Sequence, residues 1–219
     1  WEGAVGVQEQ ACGVLPMVAR QNRENKEKIA AAGGIEVVLA AMRGHPRSVG
    51  GQKQACVALS MIASNVIANK EKVSEAGGID LVLLAMRGHP GSAGVQKEAC
   101  RALYIIASNV KANQKKIGEL GGIEVVLAAM RGHAGSVEVQ EEACDALFEI
   151  ANEVKVNKEK IGELGGIELV LAAMREHAED AGLQKGACIA LRSIARHNDE
   201  GLRKIGEAGG IELLLAALR

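Results

Sequence analysis

Aromatic residues are almost missing from this chain. Among 219 residues Trp, Tyr and Phe occur once each, about 1% together, although 48% of the chain is hydrophobic. A core must therefore be built from Ala, Val, Leu and Ile, which suits closely packed helices. An excess of either charge is missing too: 26 Lys and Arg stand against 27 Asp and Glu, a formal net charge of −1. That balance leaves no footprint for nucleic acid or for an anionic membrane surface. No apolar run reaches the ~18 residues needed to span a bilayer, and no secretory signal opens the chain. Sustained apolar/polar alternation is absent, so no strand is expected. The phosphate-loop pattern G-x-x-x-x-G-K-[ST] is lacking, as are G-x-S-x-G and H-E-x-x-H. These gaps leave no catalytic constellation, and neither enzyme activity nor a cofactor is expected.

What is present is a repeat. Cys12, Cys56, Cys100, Cys144 and Cys188 are spaced by 44 residues. Gly-Gly-Ile recurs at the same interval from residue 33, and so do Gln8, Gln52, Gln96, Gln140 and Gln184. Each thiol occupies a small apolar place beside an Ala, as in "ACRALYIIAS" (99–108), where Cys serves as a filler. Spread one per unit, the thiols cannot converge on a metal, and their odd number argues against a disulfide framework. A reducing compartment, cytosol or nucleus, is the expectation.

Each unit reads as three helices. The first, "ANQKKIGEL" (112–120), has Asn113 as its expected N-cap and ends at Gly121-Gly122. The second, "IEVVLAAMR" (123–131), is apolar nearly all round and so reads as buried. The third and longest runs from Ser136 to about Asn152, with Ser48, Ser92, Ser136 and Asp180 expected as N-caps. His45, His89, His133 and His177 follow the second helix and suit its C-terminal end. Pro16 falls inside the first long helix and is expected to kink or break it.

A lone 44-residue unit cannot bury its apolar faces, whereas stacked units can. The expected fold is an all-α, right-handed α-solenoid. It would form a single domain over 1–219, with full units 33–76, 77–120, 121–164 and 165–208 between partial units 1–32 and 209–219. The order short helix, Gly-rich turn, buried helix, long helix resembles the armadillo repeat, through "NKEKIAAAGGIEVVLAAM", "VQKEACRAL" and "IAS". HEAT repeats have two helices per unit and lack the Gly-Gly turn. The period is slightly longer than the usual armadillo unit, and the excess falls in "RGHPGSAG".

Within the long helix Ala99, Cys100, Ala102, Leu103, Ile106 and Ala107 barely change between units. Arg101, Tyr104, Ile105 and Ser108 change freely, and their i, i+3, i+4, i+7 spacing places them on one helix face. The equivalent residues are Val57, Ser60, Met61 and Ser64, then Asp145, Phe148, Glu149 and Asn152, then Ile189, Arg192, Ser193 and Arg196. They read as an exposed stripe. The resemblance implies that this stripe lines a groove for an extended peptide or protein partner. Tyr104 and Phe148 share one row, as binding anchors would. The competing reading is neutral drift of solvated positions, which alone does not place the two aromatics together.

Many peptide-binding members of the family carry Trp at the first stripe position and Asn four residues later. Here those places hold Gly13, Val57, Arg101, Asp145 and Ile189, and Met17, Met61, Ile105, Glu149 and Ser193. That departure argues against nuclear-import-type recognition of a basic peptide. His197 joins Arg192, Arg196, Arg203 and Lys204 in a locally basic region that hints at an acidic partner. The two ends, read in succession, rebuild a unit short of one residue; this fits a fragment of a longer array, the favoured reading, and would also let molecules stack head to tail as a homo-oligomer. The close likeness of the units fits either recent duplication or deliberate engineering, and an engineered scaffold would need no native ligand.

Overall fold

The structure, a computed structural model, describes residues 5–217. Its helices are α1 (Val5–Ala19), α2 (Arg23–Ala31), α3 (Gly34–Gly44), α4 (Val49–Ala63), α5 (Ile67–Glu75), α6 (Gly78–Gly88), α7 (Ala93–Ala107), α8 (Lys111–Glu119), α9 (Gly122–Gly132), α10 (Val137–Ala151), α11 (Lys155–Glu163), α12 (Gly166–Glu176), α13 (Ala181–Ala195), α14 (Asp199–Glu207) and α15 (Gly210–Ala216). No strand occurs among the described residues. The three-helix reading of each unit therefore holds, with α1, α4, α7, α10 and α13 as third helices. The terminal residues that would meet in a head-to-tail junction, 1–4 and 218–219, lie outside the described residues.

Packing divides the chain into two compact units, Trp1–Asn113 and Gln114–Arg219, with the division inside α8. In the first unit α4 packs against both α1 and α7; in the second α10 packs against α13. Leu59, Ile62, Leu103 and Ile106 close the first core, against Ile79, Leu83 and Met86 of α6. Leu147, Ile150, Leu191 and Ile194 do the same in the second, with Ile167 and Leu171 of α12. Each such aliphatic side chain contributes about 1.5–3 kcal/mol by leaving water. Fully buried Ala58, Ala102 and Ala146 keep these helices slim enough to approach.

The Gly-Gly turn needs both glycines for different reasons. Gly121 adopts φ 77°, a left-handed conformation that a Cβ disfavours. A Cβ on Gly122 would sit 2.8 Å from the Ile117 carbonyl oxygen, so the chain could not turn so tightly into α9. At the other helix starts Ser48, Ser92, Ser136 and Asp180 act as the expected N-caps, accepting the N–H of Gly51, Val95, Val139 and Leu183. Pro16 lies inside α1, yet the helix runs on to Ala19, so the expected break does not occur. Packing along α4 holds α1 together at the point where Pro removes the hydrogen bond to Cys12.

The last carbonyls of a helix have no partner within it, and here side chains from elsewhere in the array supply the donors. Gln96 donates its amide to both Met86 O and His89 O at 2.9 Å, which ends α6. Gln52, Gln140 and Gln184 make the same pair of bonds to α3, α9 and α12. That explains why Gln recurs with the period. Asn113 is not the N-cap expected of it. Its helix begins two residues earlier, at Lys111, and the side chain is buried inside the turn. There it donates to Ile106 O at 2.9 Å, in the last turn of α7, and to Lys70 O at 3.2 Å, one repeat back. Asn69 and Asn157 repeat the arrangement. Buried Lys70 donates to Ser108 O at 2.7 Å and buried Lys26 to Ser64 O at 2.9 Å, placing a cation at the negative end of the next third helix.

Between each third helix and the next first helix, one residue other than Gly takes a positive φ: Gln21, Asn65, Asn109, Glu153 and His197. Nothing in the sequence reading marked these five as left-handed positions. Asn tolerates this region better than other side chains with a Cβ, and Glu poorly. Replacing Glu153 (φ 56°) by Asn is expected to raise the free energy of unfolding by about 0.5–1 kcal/mol, read from urea denaturation. An unchanged or lower stability would show that the turn carries no strain.

Candidate functional site on the third-helix face

The stripe residues differ in how far they reach solvent. Val57, Met61 and Ser64 on α4, and Arg101, Tyr104, Ile105 and Ser108 on α7, are partly open to solvent. In the second unit Asp145, Phe148, Asn152 and Ile189 are partly open, and Arg192 and Arg196 are exposed. Ser60, Glu149 and Ser193 are buried, at 2%, 6% and 7% exposure, so the expected open stripe is interrupted at those three. Short hydroxyls do not clear the neighbouring helix. Ser60 turns back to donate to Val57 O at 2.8 Å, and Ser193 donates across to Phe148 O of α10 at 3.1 Å. Glu149 turns inward, where its carboxylate faces the Gln114 amide at 3.5 Å. Burial pushes the Asp145 carboxyl above its ordinary value, partly opposed by Lys185. Tyr104 belongs to the first compact unit and Phe148 to the second.

Between the C-terminal turns of α10 and α13 the surface opens into a cleft of about 440 Å³. Phe148 lies on one side, with Arg192 and Arg196 on the other and Lys158 of α11 beneath. The Lys158 ammonium donates to Arg196 O at 2.8 Å, and burial, then the Arg196 charge, pushes its pKa down. The basic region expected from the sequence is only partly here. Arg203 is held by Glu200 and Glu207, and Lys204 donates to Gly162 O at 2.6 Å. Among the described residues no three His, Cys, Asp or Glu side chains form a group that could hold a metal.

No protein-family model and no curated protein matches the sequence. Solved structures do. The crystal structure of an engineered protein superposes with a TM-score of 0.87 at 31% identity, over 98% of this chain and 83% of its own. A designed armadillo repeat protein in complex with the peptide (KR)4 superposes with a TM-score of 0.80 at 26% identity, over 94% of this chain and 82% of its own. A second designed armadillo repeat protein gives 0.83 at 24% identity over 94% of this chain. The chain belongs to the armadillo repeat family. Its fold is the family's α-solenoid, and its general character is that of a repeat scaffold.

Within this armadillo array the histidines sit as expected at the C-caps of the second helices. They also reach between repeats. His89 Nε2 lies 2.9 Å from Pro46 O and His177 Nε2 2.7 Å from Ala134 O, each carbonyl following the histidine of the preceding repeat. As nitrogen facing a carbonyl, each Nε2 must carry the hydrogen.

The cysteines are all free; Cys12, Cys56, Cys100 and Cys144 are buried, while Cys188 on α13 is half-buried. Burial pushes Cys56 and Cys144 up to about 12, which removes the reactive thiolate at ordinary pH. Iodoacetamide at pH 8 is therefore expected to modify Cys188 well before Cys56 or Cys144, and all five only after unfolding, as read by peptide mass mapping. Equal native rates at Cys56 and Cys188 would contradict the buried-filler assignment.

Proposed function

We propose that this armadillo protein is a non-enzymatic scaffold that binds an extended peptide or protein segment along the faces of its third helices. The supporting observation is that over residues 99–108 and their equivalents, the second half of each long helix, variation between repeats falls on one helix face, most of which stays accessible, while the other positions repeat almost unchanged. The likeness to a designed armadillo repeat protein in complex with a peptide points the same way. This chain departs from the Trp and Asn pattern of basic-peptide readers, so recognition falls to side chains such as Arg101, Tyr104 and Phe148. Aromatic and Arg anchors typically carry 2 kcal/mol or more each at interface hot spots.

Selection of binders from a random peptide library would test this. Peptides selected on the native protein are expected to lose at least tenfold in affinity for the variant carrying Arg101→Ala, Tyr104→Ala and Phe148→Ala. Equal affinity for both proteins, with the variant still helical by circular dichroism, would remove the groove from the account.

A further inference from the structure

The residues lining the α10–α13 cleft have equivalents in the first compact unit, and only the lysine is common to both. Between α4 and α7 the equivalent residues are Ser60, Ser64, Asn65, Tyr104 and Ser108 over buried Lys70, whose ammonium caps α7 at Ser108 O. Between α10 and α13 they are Phe148, Asn152, Glu153, Arg192 and Arg196 over buried Lys158, which caps α13 at Arg196 O. The lysine floor is therefore a structural part of both. The two guanidiniums are an addition of the second cleft alone.

Those guanidiniums are not committed elsewhere. Neither Arg192 nor Arg196 makes an ion pair among the described residues, whereas nearby Arg203 is clasped by two glutamates. Against Arg192, Arg196 and Lys158 the cleft holds a single carboxylate, Glu153, which is exposed on its left-handed turn. Arg presents a planar fork that matches a carboxylate or a phosphate in two-point contact. Phe148 on α10 also lines the cleft and offers apolar surface beside the charges. Charge and shape together ask for an anionic side chain flanked by an apolar one.

We propose that this cleft is the acidic subsite of the groove: Arg192 and Arg196 take a carboxylate or phosphate of a bound peptide, and Phe148 takes the adjacent apolar side chain. The inference rests on the groove reading above. It commits to an acidic peptide; a nucleic acid would need a longer basic track than the two exposed arginines of this cleft provide.

Fluorescence anisotropy with four labelled octapeptides tests it: alternating Glu and Leu, and the same peptide with phosphoserine, Gln or Lys in place of Glu. The Glu and phosphoserine peptides are expected to bind at least tenfold more tightly than the Gln and Lys ones. A tighter phosphoserine peptide identifies phosphate as the natural group, and equal affinities a carboxylate. The variant with Arg192→Glu and Arg196→Glu, both exposed residues, should erase the preference. A variant with Arg47→Glu and Lys53→Glu makes the same charge change outside the cleft and should keep it. If the Glu and Lys peptides bind equally and the Arg192/Arg196 reversal changes nothing, the acidic subsite is overturned while the groove stands. If no peptide binds, both fail. Displacement of the Glu peptide by an equal concentration of an eight-nucleotide oligothymidylate would mark an unspecific polyanion surface and overturn the proposal.

Discussion

The structure depends on how helix C-termini are finished. The fifteen short helices among the described residues leave many terminal carbonyls, and several of those ends lie inside the array. An unmet buried carbonyl costs about 1–3 kcal/mol, so the ends must be supplied with donors or the repeats cannot close on one another. The donors are side chains repeated with the period. Gln52 and its equivalents end the second helices, and Asn69 and its equivalents end the third helices. Lys26, Lys70 and Lys158 reach 38 residues along the chain to the C-cap of the following third helix. Arg43 and Arg131 donate to Ala76 O and Leu164 O, the C-caps of α5 and α11. Apolar stacking supplies the driving force, and these bonds fix which repeat sits where.

That arrangement separates structure from function on each long helix. Most positions that face the core or supply donors are held, because a change at one loses a contact or bond made to another repeat; the exceptions are few, as where Gln114 stands in the place of Lys70 and Gly201 in the place of Asn113. The accessible face of the third helix is bound by neither demand. It can carry Tyr104 in one repeat, Phe148 in another and Arg192 in a third without disturbing the scaffold. The cleft over Lys158 shows both uses at once: the ammonium serves the fold, and the guanidiniums above it are free to serve a ligand.

Much of this was readable from the residues. The period, the Gly-Gly turns, the Ser and Asp N-caps, the buried thiols and the histidine C-caps all follow from local rules, and each is where those rules put it. The failures are non-local. Asn113 looks like an N-cap because Asn prefers that place, yet its partners are carbonyls 7 and 43 residues earlier, one of them in another repeat. The recurring Gln was visible as a marker but not as a donor, for the same reason. Ser60 and Ser193 share the helix face of Tyr104 and Arg192, and only the close approach of the next helix buries them. Helix periodicity gives a direction, and the neighbouring helix and the turn the side chain takes decide exposure, as buried Glu149 and partly open Ser108 show.

The most direct test of the central claim is equilibrium urea unfolding of an Asn113→Leu variant, since Leu keeps the branched shape of Asn and removes its amide. The account predicts a loss of about 2–4 kcal/mol, from two amide bonds gone and their buried carbonyls left unmet. A change below about 0.5 kcal/mol at an unaltered denaturant slope would show that apolar stacking alone holds the repeats in place, and would contradict it.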